Sequence, residues 1–292
     1  MKVLITGGSG FVGRALISNL LKNNSFSIYA TYQMNCPKIQ NVSWHQVDLL
    51  NSSMVAKIIR DIQPSYLVHL AWYTKHGKFW NAPENFLWRD ASYNLISEFI
   101  RCNGKHLMVA GSCAEYLIHD PKYLEQNIDV PNYTKAKNDL LIFSKRVCLN
   151  ENCKLIWPRI FFPYGPNEDK NKFLSSIINN LKDQKKAICK YPHHNRDYIY
   201  IDDLASALAT LIGSDFEGEI DIGSGKLTNT GYIAKKIANS LDLNKYLELS
   251  DVNQDLDVDF MDISANTKPL NEIGWSPLHS VDMGIKKLIQ YI

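Results

Sequence analysis

KVLITGGSGFVG, residues 2–13, decides the fold. KVLIT is a continuous apolar run followed by glycine, the pattern of a strand buried on both faces. From Phe11 the segment FVGRALISNLLKN has helical periodicity. Between strand and helix the glycines fit two overlapping spacings, Gly8-x-Gly10-x-x-Gly13 and Thr6-Gly7-x-x-Gly10-x-x-Gly13. Such glycines allow a tight turn, close approach of an anion to the backbone, and close packing of helix on strand. The first N–H groups of the helix then face the anion. A plain βα turn would carry the same glycines. The flanking strand and helix favour a dinucleotide site, with Gly7, Gly10, Phe11, Val12, Gly13 and Arg14 as candidate contacts.

Downstream, strands and helices keep alternating. SIYATY and VSWHQVD read as strands, and Asn51 is an expected N-cap for a helix to about Ile62. SYLVHLA is a strand, Pro83 opens a helix to about Cys102, and HLMVAGS is a strand. NYTKAKNDLLIFSKRVC is a long helix and CKLIWPRI another strand. Near-continuous apolar strands alternating with helices predict an α/β fold, a doubly wound parallel sheet covered on both faces. After YGP at 164–166 the regularity is lost. The expected organisation is a Rossmann domain over 1–165, with 196–225 returning to it. A smaller interwoven lobe takes 166–195 and 226–292.

The chain has 292 residues, 45% hydrophobic and 21% charged, with a formal net charge of +2. That is ordinary for a soluble protein. Seven scattered arginines form no basic block, so no nucleic-acid partner is expected. The N-terminus does not read as a signal peptide, and no long apolar run predicts a membrane span. Six cysteines lack CxxC or framework spacing. Reduced thiols in the cytoplasm are the expectation. His193-His194 could suggest a metal, but adjacent residues diverge and no ligand motif is near, so no metal is expected.

NAD-binding units of this kind place an acid at the end of the second strand, where it accepts from ribose hydroxyls. Here that strand ends Thr31-Tyr32-Gln33, and the first acidic residue of the chain is Asp48. Without that carboxylate a 2′-phosphate is not repelled, and Thr31 and Gln33 can donate to it. NADP(H) is therefore preferred, NAD(H) remaining possible, with Arg14 and Lys38 as candidate cations. Asp48 and Leu49 are placed beside the adenine; helix capping is the alternative for Asp48.

Tyr133 and Lys137 lie four apart at the start of the long helix and so share a face. An ammonium beside a phenol favours phenolate, which lowers a tyrosine pKa from about 10. Such a tyrosine can exchange a proton with a carbonyl or alcohol oxygen as hydride moves. An exposed helical pair would have the same spacing, so the motif needs company.

It has that company. TGGSGFVG, His69-Leu70-Ala71, Ser112 followed by Tyr116, Tyr133-x-x-x-Lys137, YGP and RDYIYIDDLA at 196–205 stand in one order. In these motifs the chain resembles the extended short-chain dehydrogenase/reductase (NAD-dependent epimerase/dehydratase) family over nearly its whole length. GSCAEY and LAWYTKHGKFW look most like bacterial nucleotide-sugar 4-ketoreductases of the CDP-abequose synthase type. The resemblance implies that Tyr133 is the general acid/base, Lys137 orients the nicotinamide ribose and Ser112 hydrogen-bonds the reacting oxygen. It puts Leu70 and Ala71 at the cofactor and Arg196 at the substrate's diphosphate. A salt bridge from Arg196 to Asp197, Asp202 or Asp203 is the alternative. Trp72, Tyr73, His76 and Cys113 are candidate walls of the sugar pocket, although ordinary packing fits the aromatic stretch equally well. A homodimer through the helices at 83–102 and 133–148 is implied in the same way.

Departures from the family pattern narrow the chemistry. Dehydratases of the family carry an acid directly after the serine or threonine, where this chain has Cys113 and Ala114. Glu115 comes one position later; strand alternation would set it with Cys113, away from Ser112. No arginine follows Arg196, which leaves Lys190, His193 or His194 to assist at a diphosphate. The expected function is NADPH-dependent reduction of the C4 keto group of a nucleotide-diphospho-4-keto-6-deoxy (or 3,6-dideoxy) hexose, serving activated deoxysugar and surface polysaccharide synthesis. The alternatives are a nucleotide-sugar 4-epimerase that retains NAD, and a non-catalytic NADP-sensing regulator.

Overall fold

A computed structural model describes residues 1–23, 25–125, 129–250 and 262–292. From the N-terminus the elements are β1 (Lys2–Thr6), α1 (Phe11–Leu20), β2 (Ser27–Tyr32), β3 (Ser43–Gln46), α2 (Ser52–Ile62), β4 (Tyr66–His69) and α3 (Glu84–Arg101). Next come β5 (His106–Val109), β6 (Gly111–Ser112), a 3-10 turn over Cys113–His119, α4 (Pro121–Glu125), α5 (Asn132–Asn150) and β7 (Lys154–Ile160). The remainder is β8 (Phe162–Tyr164), α6 (Phe173–Lys182), β9 (Ala187–Cys189), β10 (Asn195–Tyr200), α7 (Ile201–Ile212), β11 (Gly218–Ile222), β12 (Leu227–Asn229), α8 (Thr230–Leu241), β13 (Leu247–Leu249), α9 (Lys268–Glu272) and α10 (Val281–Tyr291).

The main sheet runs β11–β7–β5–β4–β1–β2–β3, with β6 paired to β7. Pairing from β7 through to β3 is parallel throughout. Every residue of β4 is buried, as a strand covered on both faces requires. Helix α2 buries Val55, Ile58, Ile59 and Ile62, one apolar stripe at i, i+3, i+4 and i+7. Asn51 caps it, accepting from Ser53 N and Met54 N. Leu4, Leu67, Leu107 and Trp157 join these residues in one core. The strand order reverses direction between β1 and β4, the position at which doubly wound sheets open a crevice beyond their carboxyl ends.

The chain forms two compact units, Met1–Arg159 with Leu208–Ile220, and Ile160–Ala207 with Asp221–Ile292. The segment that returns to the first unit is thus shorter than the 196–225 read from the sequence. The reason is pairing: β10 lies between β8 and β12 in a separate three-stranded sheet. The basic stretch after Lys185, read as irregular, contains β9, which pairs in parallel with β13. Among the described residues no helix is long and apolar enough to cross a membrane.

Candidate active site

The glycine loop leaves β1 at Gly7, whose φ of 71° is left-handed. Gly10 N donates to Gly7 O at 2.9 Å and closes the turn. A Cβ on Gly13 would collide with that same carbonyl oxygen, so only glycine lets α1 approach the turn. A Cβ on Gly7 would come within 2.8 Å of Ala71 N, which shows how closely the Leu70–Ala71 backbone runs past the loop. Gly10 stands at the N-cap of α1, which has no side-chain cap and no acid in its first turn. Phe11, Val12 and Arg14 are half-buried there, and Arg14 Nε donates to Ser9 O at 2.8 Å. An uncapped helix N-terminus behind a glycine turn suits a pyrophosphate.

Thr31 sits differently from its expected outward position. It is buried, and its Oγ1 accepts from Gly7 N at 3.2 Å, so it supports the loop from beneath. Gln33 and Lys38 are exposed. Asp48 is exposed and accepts from Leu50 N at 3.0 Å, which leaves the capping of α2 to Asn51. Leu49 is buried and lines a cavity of about 340 Å³ together with Leu87, Asp90 and Asn94. The buried Asn94 Nδ2 has no hydrogen-bond partner among the described residues. A glycine cradle that any Cβ would fill, and an unsatisfied amide donor beside Leu49, both fit a dinucleotide.

Ser112, Tyr133 and Lys137 come together at the carboxyl end of the sheet. Helix α5 starts just after Pro131, and Tyr133 N donates to Trp80 O at 2.9 Å. The Tyr133 hydroxyl shares a hydrogen bond with the Ser112 side chain, whose oxygen also accepts from Ala114 N at 3.2 Å. Lys137 is buried; its Nζ donates to Ala110 O at 2.9 Å and lies 3.7 Å from the centre of the Trp72 ring. Around Tyr133 three rings stand edge-on: Phe79 at 5.2 Å, Trp80 at 5.6 Å and Trp72 at 6.4 Å. Trp72 is pinned by its Nε1–H to Asn85 Oδ1 at 2.9 Å, and the fully buried Asn85 amide donates in turn to Ala82 O and Phe79 O.

Burial sets the ionisation of this cluster. It pushes the Tyr133 phenol up, against the opposing effect of the Ser112 hydrogen bond. The sequence expectation that Lys137 lowers this phenol is therefore corrected: in the protein alone desolvation wins. The Lys137 ammonium is turned to Ala110 O and the Trp72 face, with its Nζ 6.0 Å from the Tyr133 ring centre. Burial also lowers Lys137 itself to about 7, with the Glu115 charge acting the other way.

Glu115 differs most from its sequence reading. The strand does not continue past Ser112. A 3-10 turn begins at Cys113, and Ser112 and Glu115 form a capping box. The carboxylate thereby folds back onto Ser112, accepting from its backbone N at 2.7 Å. It also accepts from Trp157 Nε1 at 2.9 Å and Arg159 Nε at 3.0 Å. Cys113 is buried.

Tyr73 is half-buried and His76 exposed, while Trp72 of the same stretch is brought to Tyr133. Phe79, Trp80, Asn85, Trp157 and Arg159 were not singled out from the sequence. The first two close the aromatic run that begins at Trp72. The other three carry no local signal.

In the second unit Arg196 is buried on β10. It donates to Asn195 O at 2.8 Å, meets His194 Nδ1 at 2.9 Å, and stands 5.6 Å over the Phe162 ring. Two of the three carboxylates considered as its ion-pair partners are engaged elsewhere. Asp197 accepts from Ser224 N and Oγ, Gly225 N and Ala265 N. Asp203 accepts from His279 N and contacts His279 Nδ1.

The profile of the NAD dependent epimerase/dehydratase family matches residues 3–223. The chain is 25% identical to the CDP-abequose synthase of Salmonella muenchen, across 99% of its own length and 97% of the relative's. It is equally similar, 25% over the same shares, to the dTDP-4-dehydro-6-deoxyglucose reductase of Escherichia coli. Its fold superposes on the UDP-glucose 4-epimerase of Thermotoga maritima with a TM-score of 0.82 at 19% identity, covering 100% of this chain and 98% of that one.

Proposed function

The chain belongs to the NAD dependent epimerase/dehydratase family, as an NAD(P)-dependent enzyme of the extended short-chain dehydrogenase/reductase type, and on that premise we propose that it is a sugar-nucleotide 4-ketoreductase. Its substrate in this reading is a nucleotide-diphospho-4-keto-6-deoxy (or 3,6-dideoxy) hexose, and its reductant NADPH. Two relatives similar over nearly their full length are named for sugar-nucleotide synthesis and reduction, which supports the substrate class.

One observation carries the reaction type. The hydroxyls of Ser112 and Tyr133 are hydrogen-bonded beside buried Lys137, while the nearby carboxylate, Glu115, is 3% exposed and committed to three donors. That leaves a hydroxyl pair to handle one proton at one oxygen. Among the described residues no second carboxylic acid is offered there to protonate a departing hydroxyl, as dehydration would require.

When bound, the reduced nicotinamide supplies hydride to the sugar carbonyl carbon. Ser112 Oγ donates to the carbonyl oxygen and holds it in place. Tyr133 delivers its phenolic proton to that oxygen as negative charge develops there. Lys137 offsets the charge left on the phenolate and holds a ribose hydroxyl. Phe79, Trp80 and Trp72 exclude water around Tyr133. Gly7, Gly10 and Gly13 let the pyrophosphate reach the first turn of α1. NADPH is favoured because β2 ends without an acid. In the same reading Arg196 serves the diphosphate and the enzyme is a homodimer.

The test is a screen of CDP-, dTDP-, GDP- and UDP-linked 4-keto-6-deoxy sugars with NADPH and NADH, with analysis of products. Stoichiometric NADPH consumption with a reduced C4 supports the reading. Interconversion of C4 epimers by protein that retains NAD, with no net consumption of cofactor, overturns it.

A further inference from the structure

A lysine side chain is long and flexible, and its ammonium must be held at more than one point if its N–H groups are to aim at a ligand. Ala110 O gives Lys137 one fixed point, accepting from Nζ at 2.9 Å. The second is a ring. Nζ stands over the face of Trp72, 3.7 Å from the ring centre, and 6.0 Å from the centre of the Tyr133 ring. An aromatic face is the negative side of its quadrupole, and its attraction for a cation grows as water is excluded. Lys137 is buried, so this contact is made out of water.

The indole is itself fixed from behind. Its Nε1–H donates to Asn85 Oδ1 at 2.9 Å, and Asn85 is fully buried. The Asn85 amide donates to Ala82 O at 2.9 Å and to Phe79 O. A buried amide is costly unless it is satisfied. This one is satisfied by the indole on one side and by the turn at 79–82 on the other. The same turn presents Trp80 O to Tyr133 N at 2.9 Å. One side-chain amide thus links the backbone that starts α5 to the ring against Lys137. A phenylalanine at 72 would offer a face but no ring N–H for Asn85 Oδ1.

We propose that Trp72 is a positioning residue for Lys137: its indole face is the second fixed point of the ammonium and, with Ala110 O, aims the remaining N–H at the dinucleotide's ribose. With two directions taken, tetrahedral geometry at nitrogen leaves the third N–H a narrow range. A leucine would still exclude water as a wall does, but the ammonium would then swing about Ala110 O alone. Tyr133 stands edge-on to the same indole, 6.4 Å between ring centres, so one side chain sets the spacing of phenol and ammonium.

The inference rests on the role given above to Lys137 at a ribose hydroxyl, but its test does not need turnover. In the free protein with 13Cε-labelled lysine, the Lys137 signal is assigned by its loss in Lys137→Met. The ring current of Trp72 is expected to hold the Lys137 ε-protons upfield of their ordinary position, and Trp72→Leu to return them to it. The functional readout is a double-mutant cycle on the affinity for the tighter-binding of NADP+ and NAD+, measured by calorimetry. Trp72→Leu should weaken binding about fivefold when Lys137 is present and less than about twofold in the Lys137→Met background. Trp72→Phe, which keeps a ring face, should recover part of the loss. Should Trp72→Leu fail to fold, Trp72→Met, a more adaptable chain without a ring, replaces it in both measurements. On an active sugar nucleotide, Trp72→Leu should lower kcat about tenfold or more with little change in the sugar-nucleotide KM. An equal loss of affinity in both backgrounds, the result expected of a mere apolar wall, overturns the proposal, as do ordinary Lys137 shifts in the unsubstituted protein. Absence of turnover on every sugar nucleotide overturns the reductase reading and leaves the cycle and the resonance to decide this one.

Discussion

Two buried carboxylates, one in each unit, are satisfied by different kinds of donor. Asp197 in the second unit is fully buried and accepts from three backbone N–H groups and one hydroxyl, all uncharged, drawn from the loops at 224–225 and 265. Glu115 in the first unit accepts from a guanidinium, an indole and the backbone of Ser112. The first arrangement knits chain segments together. The second clamps the segment that carries Ser112. Burial alone therefore does not mark a functional acid; the chemistry of the donors does.

The contrast is open to direct attack. Asp197→Ala orphans all four donors and is expected to cost about 3 kcal/mol or more of stability, read as a lower urea midpoint at constant slope. A loss under 1 kcal/mol would remove Asp197 as the structural pole of the comparison. Tyr133→Phe is the functional pole. It keeps the ring between Phe79, Trp80 and Trp72 and is expected to lower kcat by about 10²-fold or more with little change in Tm. Near-full turnover would break the assignment. Gly13→Ala involves no charge at all. The added Cβ meets the Gly7 carbonyl, and dinucleotide affinity measured by calorimetry should fall about tenfold. Equal affinity would show that the cradle tolerates a side chain.

The smallest expected effect concerns a buried titratable group that only ties elements together. His69 lies between Thr6 on β1, at 2.7 Å, and Ser92 on α3, at 2.8 Å. Ser92 donates to Trp88 O, so it accepts from His69 Nε2–H, and Nδ1 accepts from Thr6. Burial lowers its pKa from 6.5 to about 3. The folded state binds the neutral ring, so the contribution of His69 is complete above about pH 6.5 and is lost as pH falls toward 3. Between pH 7.5 and 5.5 stability should drop by about 1 kcal/mol on this account, and the drop should vanish in His69→Gln. An identical pH slope in that variant would sink the explanation.

Much of the site could be read from local pattern. The strand, glycines and helix at 2–20 are short-range devices, since each needs only its neighbours' hydrogen bonds and spacing to be recognised. The same holds for Asn51 as a cap and for the four-residue spacing of Tyr133 and Lys137. Glu115 was misread because a strand was extended past Ser112 by alternation, although Ser112 and Glu115 themselves carry the capping-box spacing. The strands missed in the second unit, β8, β9, β12 and β13, are three residues each. Periodicity cannot be detected over so short a run, and their identity comes from a distant partner.

By itself the sequence determined an α/β chain with a glycine-rich turn between its first strand and helix, which follows from residue order and from periods of two and 3.6. The grouping of Ser112 with Tyr133 and Lys137 rested on the resemblance to the family. Only the tertiary structure decided the direction of ionisation. Whether a phenol beside a lysine is lowered or raised depends on how much water both have lost, and on where the ammonium points. Here the Phe79, Trp80 and Trp72 wall removes the water, and Ala110 O and the Trp72 face hold the ammonium.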